Sequence, residues 1–200
     1  MSVPVVVLAS GTGTLLTALL EAAAAPRAPF HIVAVGVDRE CRALQVAADH
    51  GVATFTCRVA DHADRSAWDR ALTEQTAAHH PDWVVTAGFM KILGPAFIAR
   101  FAGRTVNSHP ALLPAFPGAH GVADALDYGV KVTGTTVHLV DDGVDTGPIL
   151  AQQPVVVEDG DTQDALHERI KAVERVLLAD VVTALTTRGV AIDGRKARIL

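Results

Sequence analysis

The first half of the chain alternates short, apolar, β-branched runs with longer stretches of helical periodicity. Five such runs are predicted strands: PVVVLAS, HIVAVGV, VATFTC, DWVVTAG and RTVNSH. Strands that are apolar along their whole length need cover on both faces, and strands that alternate with helices pair in parallel. The pattern therefore predicts an α/β protein in which a mostly parallel sheet is wrapped by helices.

The pattern changes in the second half. GTTVHLV and GPILAQQPVVV are predicted strands of a hairpin, because the turn-forming stretch DDGVDT joins them. A long helix is predicted from Asp161 to Arg188, with an apolar stripe at Leu166, Ile170, Val173, Leu177, Val181 and Leu185. We thus expect a Rossmann-like fold with a C-terminal β-hairpin and long helix. We expect a single domain, 1–200, with two halves, 1–106 and 107–200.

Composition excludes several classes of protein. The net charge of −5 and a pI near 5.9 argue against nucleic-acid binding, which needs a basic surface. Cys41 and Cys57 form no C-x-x-C motif, so we expect neither a disulfide framework nor a thiolate metal site, and a cytoplasmic location follows. No run reaches the roughly 18 apolar residues of a membrane helix, and we expect no membrane association.

The stretch SGTGT, Ser10 to Thr14, lies between the first predicted strand and the first predicted helix. Backbone N–H groups at a helix N-terminus, with glycines that allow close approach, form a phosphate site. The alternative is a tight turn that needs glycine only for its conformation. A dinucleotide fits less well, although Asp38 ends the second strand where a ribose-binding acid would lie, because Leu16 replaces the third glycine of G-x-G-x-x-G.

The stretch VNSHPALLPAFPG places Asn107 and His109 at the C-terminal end of the fifth predicted strand. Residues two apart on a strand point to the same face, and open parallel sheets bind ligands at this end. An amide and an imidazole that face one point suit a carbonyl whose oxygen becomes negative during attack. The prolines that follow restrict the chain that leaves the pair, whereas a histidine alone would equally suit a role in capping a loop carbonyl.

The connection DDGVDTG holds three carboxylates. Asp141 and Asp142 are expected in a solvated turn, whereas Asp145 would lie beside His109 if the hairpin folds back over the fifth strand. A carboxylate there would favour the imidazolium and fix the ring. A metal site built from His109, His120, His138 and these acids is the rival hypothesis, but it lacks a recognised ligand spacing.

Two further segments leave alternatives open. Glu174 lies between Lys171 and Arg175 on the long helix, and a surface ion pair is its default explanation. GFMKIL, Gly88 to Leu93, follows the fourth strand, where an apolar loop would either line a pocket for a flat ring or belong to the core.

The chain resembles the phosphoribosylglycinamide formyltransferases, which use 10-formyltetrahydrofolate. The similarity rests on ASGTGTLLTALL, AGFMKILGP, VNSHPALLPAFPGAH, GTTVHLVDDGVDTGPILAQ and LHERIKAVE, in order from about Val5 to about Gly189. It implies formyl transfer from 10-formyltetrahydrofolate, as co-substrate, to the amine of glycinamide ribonucleotide in purine biosynthesis, without a metal. The implied partners are these two small molecules, and the protein is expected to be a monomer or a homodimer.

The resemblance also implies a phosphate-binding half (1–106), a catalytic and folate-binding half (107–200), and roles for individual residues. Asn107, His109 and Asp145 match the catalytic residues, and Glu174 matches the acid that contacts the glycinamide. The ribonucleotide-phosphate segment corresponds to Gly11, Thr12, Gly13, Thr14 and Leu15. Folate-contacting positions correspond to Arg65, Met90, Lys91, Ile92, Leu93, Asn107, Asp141, Asp142, Gly143, Val144 and Asp145. Leu15 replaces an asparagine of many members, and HGVADAL lacks a second histidine found in some.

Three alternatives share parts of this pattern. Methionyl-tRNA formyltransferase is expected to carry an additional C-terminal domain and a basic surface, whereas this chain is acidic. Formyltetrahydrofolate hydrolase is expected to carry an N-terminal regulatory domain before the first strand. A catalytically silent nucleotide-binding module would keep the glycine loop and need no formyl chemistry.

Overall fold

The computed structural model describes residues 2–200, and the chain forms two compact units, one that ends at Val106 and one that begins at Asn107. The boundary coincides with the one expected between the two halves. That the halves form a single domain stays a prediction.

The first unit is built on parallel strands. Its strands are β1 (Val3–Ala9), β2 (Phe30–Val37), β3 (Ala53–Thr56) and β4 (Trp83–Thr86), in the order β3-β2-β1-β4, and the strand β5 (Thr105–His109) begins in this unit and ends in the next. The β1/β2, β1/β4 and β2/β3 pairs are all parallel. The helices are α1 (Thr14–Ala23), α2 (Arg42–Asp49), α3 (Arg65–Ala77) and α4 (Pro95–Arg100). The predicted alternation of strands and helices is confirmed.

Trp68 on α3 is the largest fully buried side chain of the first unit. It packs with Leu72 of the same helix and with Phe97 and Phe101, which lie on α4 and just after it, against Leu8 of β1. Its indole Nε1–H donates to the Cys57 carbonyl over 2.9 Å, so the one polar atom of the ring is satisfied inside the core. α3 and α4 thus pack against the sheet of the first unit through this cluster.

The second unit contains α5 (Gly121–Tyr128), β6 (Val132–Leu139), β7 (Ile149–Val156), α6 (Gln163–Arg188), β8 (Val190–Asp193) and β9 (Lys196–Ile199). β6 and β7 form the predicted antiparallel hairpin. β9 pairs with β7 in parallel and with β8 in antiparallel orientation, which gives the order β6-β7-β9-β8. The β8–β9 hairpin was not predicted from the sequence.

The long helix α6 is confirmed, but its apolar stripe differs from the prediction. Thr162 caps its start by accepting a hydrogen bond from the Ala165 N–H, over 3.2 Å. Leu177 and Val173 are only partly buried. The next buried positions after Ile170 are Glu174 and Leu178, and the predicted residues Val181 and Leu185 are buried as well. The buried face runs from Ile170 through Glu174 to Leu178. A prediction based on apolar residues misses this face because Glu174 is not apolar.

No helix within residues 2–200 is long and apolar enough to cross a membrane.

Candidate active site

The glycine loop of the first unit connects β1 to α1. Gly13 precedes the helix with a φ of 79°, in the left-handed region that favours glycine. A Cβ at this position would lie 3.2 Å from the Ala43 Cα, so the loop is also packed closely against α2. Leu15 is buried, and its side chain therefore belongs to the core. What the loop offers a ligand is its backbone at the start of a helix, which is the chemistry of an anion site.

The segment Gly88–Leu93, which follows β4, is tied to the residue before the glycine loop. The Ser10 N–H donates to the Gly88 carbonyl over 3.2 Å, and the Met90 N–H donates to the Ser10 Oγ over 2.9 Å. The side chains of Met90 and Ile92 are 60% and 64% exposed, so they do not belong to the core. A loop with a fixed backbone and exposed apolar side chains provides a surface on which a flat ring can lie.

Asp38, considered above as a ribose-binding acid, is buried and already paired with cations of the chain. The Arg39 guanidinium contacts its carboxylate at 2.7 Å, and the Lys91 Nζ lies 3.6 Å away. Burial alone would raise the pKa of Asp38, but hydrogen bonds from Arg39 and Ser10 and the nearby charges lower it below its usual value. Asp38 is therefore an anion that stabilises the end of β2, and the dinucleotide alternative loses its main support.

In the second unit, both ring nitrogens of His109 face hydrogen-bond acceptors. The Nδ1 atom lies 3.3 Å from the Asp145 Oδ2, and the Nε2 atom lies 2.7 Å from the Phe116 carbonyl oxygen. A carboxylate and a carbonyl can only accept, so each ring nitrogen is placed where its N–H would donate. His109 is 4% exposed, and these two contacts fix the orientation of its ring inside the protein.

Asp145 stands beside His109 as the hairpin prediction required. Its Oδ2 also accepts the Gly118 N–H over 2.7 Å, and its Oδ1 accepts the Asn107 Nδ2–H over 3.4 Å. Burial would raise the pKa of Asp145, but the His138 imidazole, the Gly118 N–H and the charge of His109 lower it below its usual value. The Asp145 carboxylate is therefore an anion that contacts both the Asn107 amide and the His109 ring.

His138 on β6 completes this cluster, and the sequence had placed it only in a hypothetical metal site. Its Nδ1 lies 2.9 Å from the Leu139 carbonyl, so Nδ1 carries a proton. Its Nε2 lies 3.1 Å from the Asn107 Nδ2 and 3.5 Å from the Asp145 Oδ1. The ring therefore contacts the side chains of both residues and limits how they can turn. Apart from the metal hypothesis, the sequence indicated only that His138 lies on the predicted strand GTTVHLV.

The default explanation of Glu174 as a surface ion pair is wrong. Its side chain is 5% exposed, and the Ser108 Oγ donates to its Oε1 over 2.5 Å. Lys171 instead pairs with Glu168, at 2.9 Å. Burial raises the pKa of Glu174 above its usual value, although the Ser108 hydroxyl and the charges of Lys171 and Arg175 oppose the shift. Ser108 lies between Asn107 and His109 in the sequence, so β5 also holds this acid.

The turn between β6 and β7 matches the predicted solvated connection at its tip. Asp141 Oδ1 accepts from the Gly143 N–H and the Thr146 Oγ–H, over 3.1 and 2.6 Å, and Asp142 is exposed. Asp145 follows with a φ of 53°, which turns the chain and directs the carboxylate inward.

Within residues 2–200, no group of three or more His, Cys, Asp or Glu side chains is arranged to hold a metal ion.

Known proteins resemble this chain in both sequence and structure. A protein of Mycobacterium tuberculosis (strain H37Rv), phosphoribosylglycinamide formyltransferase, is 67% identical over 192 residues, which cover 96% of this chain and 89% of the relative. Glycinamide ribonucleotide transformylase 1 of Symbiobacterium toebii superposes with a TM-score of 0.97 at 38% identity, covering 100% of this chain and 94% of that one.

An enzyme named for a different activity is also similar in structure. A formyltetrahydrofolate deformylase of Pseudomonas syringae superposes with a TM-score of 0.92 at 26% identity, and it matches all of this chain over 66% of its own length. The sequence model of the formyl transferase family matches residues 3–182. The chain belongs to the formyl transferase family, within which its high-identity relatives are phosphoribosylglycinamide formyltransferases.

Proposed function

We propose that this protein transfers the formyl group from 10-formyltetrahydrofolate to the amine of glycinamide ribonucleotide in de novo purine biosynthesis. The products are formylglycinamide ribonucleotide and tetrahydrofolate. One observation carries the proposal: the Asp145 carboxylate contacts both an amide donor, Asn107, and a buried imidazole, His109. These are the groups that a formyl carbonyl requires when an amine attacks it.

The neutral amine attacks the formyl carbon, and negative charge develops on the formyl oxygen. Asn107 donates a hydrogen bond to that oxygen, and His109 stabilises the charge. The His109 Nε2 lies 2.7 Å from the Phe116 carbonyl oxygen, so the formyl oxygen has to replace this carbonyl as the acceptor. Loss of one donor of this kind costs about 2.7–4 kcal/mol, a few hundredfold in rate.

Asp145 keeps His109 charged and oriented through the Nδ1 contact. A bond forms between the amine nitrogen and the formyl carbon, and the bond from that carbon to N10 of the folate breaks. The amine loses a proton in the first change, and N10 gains one in the second. Asp145 is the anion nearest to this chemistry, and we assign it a part in moving the proton, through water.

Binding roles follow the resemblance of individual segments. We assign the ribonucleotide phosphate to Gly11–Leu15 and the glycinamide to Glu174. The folate is assigned to Arg65, to Met90–Leu93, to Asn107 and to the turn Asp141–Asp145. The oligomeric state, monomer or homodimer, and the cytoplasmic location stay predictions.

Assay of the purified protein with both substrates separates transfer from hydrolysis. We expect formylglycinamide ribonucleotide to form in step with tetrahydrofolate, and little tetrahydrofolate to form when the ribonucleotide is left out. Mass spectrometry of the ribonucleotide and absorbance of the folate measure the two products. Equal release of tetrahydrofolate with and without ribonucleotide would assign the protein to the hydrolases instead.

His109 and Asp145 are expected to act as one unit. His109→Asn should lower kcat at least a few hundredfold, and Asp145→Asn should lower it strongly because the carboxylate that charges the ring is lost. The double variant should be scarcely slower than the slower single variant. Asp127→Asn, at an exposed position of α5, is the control and should remain within about twofold of wild type. Losses that add fully in log rate would remove Asp145 from this role.

Gly13→Val tests the phosphate loop. The side chain forces a left-handed residue out of its region and meets Ala43, so the backbone cradle should be lost. Calorimetry should show ribonucleotide affinity lowered at least tenfold, about 1.4 kcal/mol. Gly160→Val is the control, because Gly160 has a similar φ of 84° with open space around it. Normal ribonucleotide binding by Gly13→Val would mean that the loop is only a turn.

Glu174→Gln should stabilise the protein at neutral pH. A raised folded pKa means that the folded state resists ionisation of this carboxyl as the pH rises above about 4.3, where the unfolded chain ionises. Wild type therefore loses stability in that range and the amide variant does not. Urea unfolding at pH 4 and pH 8 should show a variant advantage only at pH 8. Glu168→Gln, whose carboxyl has a lowered pKa, should show no such advantage.

A further inference from the structure

Asp69 is a buried carboxylate of the first unit that the proposed chemistry does not use. It lies on α3, is 4% exposed, and accepts three backbone hydrogen bonds from the start of α4. The Gly94 and Phe97 N–H groups donate to its Oδ1 over 3.1 and 3.3 Å, and the Ala96 N–H donates to its Oδ2 over 2.8 Å. These contacts supply the acceptors that Gly94, at the N-cap of α4, cannot supply itself.

The approach of the backbone to this carboxylate is too close for any side chain at position 94. A Cβ on Gly94 would lie 2.4 Å from the Asp69 Cγ and 2.5 Å from its Oδ2. The φ of Gly94 is −90°, so its backbone conformation is open to other residues and only the contact with Asp69 requires glycine. Asp69 and Gly94 therefore work as a matched pair.

This pair fixes one end of the segment Met90–Leu93. Arg65, one helical turn before Asp69 on α3, donates from its Nη2 to the Ile92 carbonyl over 2.6 Å. Positions four apart lie on the same face of a helix, so α3 holds the segment at two successive points. Ser10 holds the other end through the Met90 N–H. The backbone is thus held at both ends, whereas the Met90 and Ile92 side chains stay exposed.

We propose that Asp69 is a positioning residue for folate binding: its carboxylate, in contact with Gly94, sets the backbone of Met90–Leu93 on which the folate binds. The inference rests on the proposed function, which assigns the folate to that segment. Because the backbone is already fixed, folate binding loses little conformational entropy in this segment. If the end of the segment were released, binding would have to order it, and the affinity for the folate would fall. Asp69 does not touch the reacting atoms, so its effect should appear in binding of one substrate.

Steady-state kinetics of two independent variants test the proposal. Asp69→Asn replaces one acceptor oxygen by a donor, and Gly94→Ala pushes the carboxylate away from the other side. Each should raise KM for 10-formyltetrahydrofolate on the order of tenfold, with kcat and KM for the ribonucleotide within about twofold of wild type. The double variant should be no worse than the worse single one, because both break the same contact.

Asp64→Ala is the matched control. Asp64 also caps a helix, since it accepts the Ala67 N–H over 2.7 Å at the start of α3, but it has no described contact with the segment. It should lower the melting temperature and leave KM for the folate unchanged. Hydrogen exchange adds a readout apart from activity: Asp69→Asn should speed exchange at the Ala96 and Phe97 amides and reduce the protection that a non-transferring folate analogue gives to Met90–Leu93.

Two results would overturn the role of Asp69. One is an equal loss of affinity for both substrates, and the other is a lower melting temperature with unchanged kinetic constants and unchanged protection by the analogue. Either would mean that the carboxylate only stabilises the fold. The wild-type assay keeps the two proposals apart, because absence of formyl transfer by wild type rejects the proposed function, whereas an unchanged KM for 10-formyltetrahydrofolate in both variants rejects only the positioning role.

Discussion

The Asp145 carboxylate is the constraint on which the catalytic half depends. It is 12% exposed, and an anion removed this far from water has to be surrounded by donors. Those donors are the Gly118 N–H and the two groups to which we assign the chemistry, the His109 imidazole and the Asn107 amide. Each of them is held in position because the carboxylate requires it, so the site is organised before substrate binds.

The chain between His109 and Gly118 is shaped by the same requirement. It has to bring the Phe116 carbonyl to one side of the imidazole and the Gly118 N–H to the carboxylate on the other side. Phe116 adopts a φ of 54°, which is unfavourable for a bulky residue and is maintained only by surrounding contacts. The prolines restrict the remaining freedom of the stretch. The contacts of the Phe116 carbonyl and the Gly118 N–H with the proposed catalytic residues therefore help to maintain this strained conformation.

The sequence predicted most of the fold, since apolar periodicity reports which faces are buried. It also indicated that Asp145 would lie beside His109 if the hairpin folded back over the fifth strand, and the structure has Asp145 at that position. It failed for Glu174, whose neighbours Lys171 and Arg175 give the local pattern of a surface residue, whereas its burial depends on Ser108, 66 residues away in sequence. The sequence also did not indicate the proposed role of Asp69. Its partners are backbone N–H groups distant in sequence, and residue identities do not show which backbone groups a side chain contacts.

Glu174 and Asp145 are both shielded from water, yet their pKa values shift in opposite directions. Asp145 has enough donors to remain an anion, whereas the described hydrogen bond to Glu174 comes from one hydroxyl, and burial prevails. Under the proposed function this difference suits the reaction. A fixed anion at Glu174 would stabilise the ammonium form of the glycinamide, which has no lone pair and cannot attack. A carboxyl with a raised pKa can hydrogen-bond the amine and leave it neutral. In the proposed mechanism, Asp145 therefore stabilises charge, whereas Glu174 binds the substrate.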